Sequence, residues 1–227
     1  MNLFAFFLAA SAMFIPEFSM KDLRFLGGQD GGRMDRENLW SASLIELLIA
    51  PDGKVADCIV VRFAGDKKTA DLNCKILKKR RFSIPIGPDG KPAYAVIPTV
   101  LTSYADKLFP MRQQLTRDFI SGLKADKLPM SIEVPMTVFV EGFSTAPASS
   151  DPAGKGAVLS VAMNISSAVN LRIGLDGKVS DCEGTARAPE SLIHYACTKA
   201  KLMNFETRKI KGRPVPYLRL FQIFPIS

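Results

Sequence analysis

Cys58, Cys74, Cys182 and Cys197 are the residues of this sequence best equipped for chemistry. Four thiols can hold zinc, carry redox catalysis or close disulfides. No C-x-x-C occurs, and the four fall into two well-separated pairs, so the zinc and redox readings fit poorly. Other reactive groups are sparse. His194 is the one histidine, so neither a histidine metal site nor a hydrolytic triad can assemble around a second imidazole. On a helix with apolar neighbours it reads as a partly buried core residue. No serine lies in a G-x-S-x-G elbow, and no phosphate-cradling glycine pattern follows a strand. Enzyme activity is the least supported class, and neither a cofactor nor a metal is expected.

Composition is that of a globular chain. Of 227 residues, 47% are hydrophobic and 23% charged, which excludes a mainly disordered protein. The net charge is +8, with Lys78-Lys79-Arg80-Arg81 as its densest run. That run fits a solvated helix end, where cations complement the macrodipole, and no nucleic-acid partner is expected. At the start, the uncharged stretch from Leu3 to Ile15 is too short to span a bilayer as a helix. With Ala10-Ser11-Ala12 as an A-x-A cleavage site, residues 1–12 read as a signal peptide, although no Lys or Arg precedes the apolar run. The expected compartment is therefore the periplasm. Membrane contact is expected only through this segment, should it remain uncleaved.

The elements that position the cysteines emerge from an internal repeat. Asp52-Gly-Lys-Val-Ala-Asp-Cys58 returns as Asp176-Gly-Lys-Val-Ser-Asp-Cys182. Further matches link Cys74 with Cys197, Phe82 with Phe205, and Leu44–Ile49 with Ala168–Ile173. The chain is a tandem duplication. Each copy reads as an apolar strand (44–50; 169–175), an Asp-Gly turn and a second strand (54–63; 178–185). A helix (67–79; 189–203) and a closing strand (93–103; 217–224) follow. In the second helix Leu192, Ile193, Ala196, Ala200 and Met203 share one face. The fold class is α+β: two small modules, each an antiparallel sheet of hairpin and strand with one helix packed on it. Such a helix brings the cysteine of the second strand to the cysteine of the helix. Of three possible connectivities the expected one is Cys58–Cys74 and Cys182–Cys197, each worth about 3 kcal/mol in the chain-entropy model.

The boundaries read as a signal peptide 1–12, a lead-in 13–41, module 1 at 42–104, a connector 105–156 and module 2 at 157–227. Within the connector, residues 111–122 look helical, with Leu115, Phe119 and Ile120 on one side. Residues 132–143 and, further on, 157–166 read as strands, and 144–156 as a loop.

The order strand, Asp-Gly-Lys-Val turn, strand, helix ending in Lys-Lys-Arg-Arg-Phe, Gly-Lys-Pro and closing strand resembles the C-terminal domain of TonB energy transducers. Residues 42–104 carry the better match, with Leu72, Cys74 and Arg80-Arg81-Phe82-Ser83-Ile84-Pro85, and 167–225 a weaker one. The resemblance implies a periplasmic domain that receives a peptide of an outer-membrane TonB-dependent receptor as an added strand on a sheet edge. Pro98 interrupts the closing strand of copy one, which blunts that edge. The uninterrupted strand Tyr217, Leu218, Arg219, Leu220, Phe221, Gln222, Ile223 and Phe224 is therefore the expected partner-binding edge. The chain shows no Pro-Lys or Pro-Glu spacer of the kind that transducers use to cross the periplasm. The alternative is a soluble periplasmic scaffolding or binding module without energy transduction. A homodimer is compatible with either.

Overall fold

The computed structural model describes residues 13–16, 31–125, 131–135, 168–185 and 189–226. The expectations for 1–12, 136–156 and 157–166 lie outside the described residues.

In the first half, α1 (Gly31–Glu37) leads into β1 (Trp40–Ile49), β2 (Val55–Gly65), α2 (Lys67–Leu77) and β3 (Tyr94–Tyr104). A 3-10 turn (Asp106–Met111), α3 (Arg112–Ala125) and β4 (Ser131–Pro135) follow. The second half contains β5 (Ala168–Ile173), β6 (Val179–Gly184), α4 (Glu190–Lys201), the small hairpin β7 (Arg208–Ile210) and β8 (Arg213–Val215), and β9 (Tyr217–Ile226). The class is α+β, as the sequence implies.

The duplicated Asp-Gly turns fold alike. Lys54 N donates to Asp52 Oδ1 and Lys178 N to Asp176 Oδ1, both at 3.0 Å. Each glycine then takes a left-handed conformation, φ +80° at Gly53 and +77° at Gly177. The turns also lie against backbone: an added Cβ would sit 2.4 Å from Phe82 O at Gly53 and 2.2 Å from Phe205 O at Gly177. Phe82 N and Phe205 N in turn donate to the carbonyls of these glycines at 2.8 and 2.9 Å. The matched phenylalanines of the repeat are thus the seats of its matched turns.

Both helices sit close on their hairpins. Asp66 caps α2 by accepting from Thr69 N. The α4 N-cap is Pro189, whose missing N–H costs little there, with Glu190 in the first turn and Lys199 and Lys201 in the last. Leu192, Ala196 and Ala200 are fully buried, whereas His194 is exposed. The sequence reading of His194 as a core residue is corrected: two positions after Leu192, it projects away from the buried stripe. In α3, Phe119 packs on Ala42 and Leu44, while Ile120 turns outward and is 39% exposed.

Among the described residues all the larger strands join one seven-stranded sheet, in the order β2-β1-β3-β9-β5-β6, with β4 on β9. Pairing within each half is antiparallel, and the halves meet at a parallel seam, Tyr94↔Tyr217 to Val96↔Arg219. Alternation along the strands shows what each helix covers. Ile45, Leu47, Ile49, Ala95, Ile97 and Leu218 pack with Cys74 and Leu77 of α2. Leu48, Val96, Leu171, Ile173, Tyr217 and Phe221 pack with α4. The two helices therefore lie on opposite faces of one sheet. The parallel seam and the exchanged faces amount to an approximate two-fold rotation about an axis along the strands. Each core also takes residues from the other half, Leu218 and Leu220 on one side, Leu48 and Val96 on the other.

Candidate functional site

The cysteines meet as two bonds, Cys58–Cys74 and Cys182–Cys197, with Cα–Cα distances of 5.6 and 5.7 Å. They account for all four thiols. Each bond ties an outermost strand of the sheet, β2 or β6, to the helix above it. A structural staple is what this geometry supplies, and such bonds persist in oxidising compartments. Among the described residues no helix is long and apolar enough to cross a membrane.

Tyr217–Phe224 do not form an edge, which corrects the sequence expectation. On one side β9 pairs with β5 from Tyr217 to Gln222. On the other it pairs with β3 from Tyr217 to Arg219, then with β4 from Gln222 onward. Tyr217, Leu218 and Phe221 are fully buried. With no proline from Tyr217 to Phe224, this stretch is suited to a two-sided position, and Pro225 falls beyond its last partner in β5, where β4 is the neighbour. Pro98 lies in β3 opposite Glu46 of β1, beyond the short stretch where β3 pairs with β9.

Among the described residues the path of the sheet ends instead at β2 and β6, with β4 off it on β9. Among the described residues no strand pairs with the outer side of β2, which runs eleven residues and exposes Ile59, Val61 and Phe63 by 36–40%. Register shifts occur beside Leu44 and Ile49, leaving Asp57–Val60 as the regular stretch between them. Beside that stretch is a cleft of about 340 Å³, lined by Asp57 and Ile59 of β2, Glu46 and Leu48 of β1, and Thr207 and Lys209 of the second half.

At the back of the cleft is a buried ion cluster that sequence reasoning missed. Glu46, 7% exposed, accepts from Arg208 and, at 2.7 Å, from Arg219. Arg219 also lies over the Phe205 and Phe221 rings, 6.0 and 5.5 Å from their centroids. Tyr217 donates to Glu206 O at 2.9 Å, and burial pushes its phenol pKa up. The signal available in the sequence was a glutamate inside the apolar run Leu44–Ile49, which could not stay buried without a cation. Its counterpart in the second copy, Asn170, is also buried and polar.

The fold and site define a duplicated α+β protein with two stapled edges and a polar cleft beside the longer one. Comparison with protein-family models, curated proteins and solved structures finds no match to this chain.

Proposed function

We propose that this chain is a periplasmic TonB-like interaction protein that receives an extended peptide of an outer-membrane receptor as an added strand, and that the receiving edge is β2. The outer side of β2, which no described strand pairs with, carries this reading. An unpaired edge offers main-chain donors and acceptors for a partner strand, and alternate side chains of that strand can reach pockets on either face. Here one face holds the cleft beside Asp57 and Ile59, where Thr207 and Lys209 offer polar contacts. The two disulfides suit an oxidising compartment. The TonB resemblance supplies the class of partner.

The test is titration of a receptor's plug-side N-terminal peptide into isotopically labelled protein. Amide shifts are expected along Asp57–Val60, and the exposed-site substitution Ile59→Lys should weaken binding without unfolding the chain. Shifts confined to β6, or none at all, would refute the assignment to β2.

A second reading has its own support. The closing strands β3 and β9, which separate modules would leave more open, pair with each other. That arrangement favours a periplasmic scaffold that binds without transducing energy. Peptide binding that survives with no effect on receptor-dependent uptake would select it.

A further inference from the structure

We propose that the chain is processed between Ala12 and Met13, and that the α-ammonium group so created is held by Glu183 as part of the fold. The proposal rests on the exported reading above and adds a specific bond and a specific acceptor. The local sequence supplies the cut: Ala10 and Ala12 are the small residues of an A-x-A site that ends immediately before Met13.

The structure supplies the destination. Met13 N donates to Glu183 Oε2 at 2.9 Å, and Met13 O accepts from Asn170 Nδ2 at 3.1 Å. Asn170 and Glu183 are cross-strand partners of β5 and β6, so the two side chains grip one residue from one register position. The next residue, Phe14, exchanges two backbone bonds with Ile86, both 2.9 Å. Met13 and Ile15 are 5% and 7% exposed within the α2-side core. The backbone nitrogen at the proposed cut is therefore placed against a carboxylate and anchored from both sides.

Chemically the step is hydrolysis by an export-linked peptidase. Water adds to the Ala12 carbonyl and the C–N bond breaks. The water oxygen stays on Ala12, which leaves as a carboxylate, and both water protons pass to the Met13 nitrogen, which becomes an ammonium. A neutral amide donor to Glu183 becomes a cation, so the hydrogen bond to the carboxylate gains the attraction of an opposite charge and becomes an ion pair.

The experiment expresses residues 1–227 in a Gram-negative host and determines the N-terminus of the product. A chain beginning at Met13 is expected. Export with cleavage at another bond overturns this proposal alone; retention of the uncleaved chain in the cytosol overturns the exported reading as well. The processed protein is then α-acetylated, in the native form and as Glu183→Gln. Acetylation should lower the melting temperature of the native form and leave the variant unchanged. An equal fall in both would remove Glu183 as the partner of the new terminus.

Discussion

At the N-terminus of α2, Asp66 accepts from Thr69 N, Thr69 Oγ1 and Arg33, at 2.9, 2.7 and 2.5 Å. The Arg33 hydrogen bond is the main reason its pKa falls from the ordinary 3.8 to about 2. A carboxylate with a lowered folded pKa contributes stability that is present above its unfolded value and lost as pH falls through the folded one. Denaturant midpoints of the native chain should therefore decline between about pH 4 and pH 2. Asp66→Asn keeps a good cap side chain but cannot titrate, so its decline over that window should be shallower. Equal slopes would show that the Arg33 contact does not discriminate the ionised form. Asp66 was not singled out in the sequence, because its cationic partner lies 33 positions earlier in α1. Glu46 is a similar case, since its two arginines come from the other half of the chain.

Elements were far more legible than their partners. The Asp-Gly turns, the hairpins, both helices and both cysteine pairs follow from local patterns: alternation, i/i+4 spacing and repeated turn chemistry. Pairing across the seam does not, because the local pattern of β9 is the same whether its sides meet protein or solvent. The continuous burial of β1, nine of ten residues, has the same origin. Its second face is covered near Ala42 and Leu44 by α3 and further along by the second half. The interior position of β9 changes what a proline there would do. Leu220 pairs with Asn170 of β5. Leu220→Pro should destabilise the protein by about 1–3 kcal/mol or more, as expected when a buried ladder group loses its partner. Thermal unfolding checks this directly. A fully stable Leu220→Pro protein would contradict the β5–β9 register.

Across the whole molecule, duplication has turned two thin modules into one structure with interleaved cores. A module of about 60 residues buries little surface alone and depends on its staple. Joining two through a parallel seam lets each lend apolar residues to the other's core. It also gives each back face a polar fastening at the same repeat position. Glu46 holds arginines of the second half, and Asn170 holds the main chain at Met13. Such a molecule should unfold as a unit, and Glu46 is the residue through which that can be tested. Glu46→Ala takes away the carboxylate that Arg208 and Arg219 share inside the protein, a loss on the order of 3–5 kcal/mol for a buried pair. Because the cores interleave, the loss should reach both halves. Hydrogen exchange of the Leu47 amide in β1 and the Leu171 amide in β5 should accelerate by the same factor. Acceleration at Leu47 alone would mean that the halves open separately and that the seam couples them only in geometry. Equal acceleration would mean that the β2 edge and its cleft are held in shape by the second copy, so that a peptide bound there acts on the whole sheet.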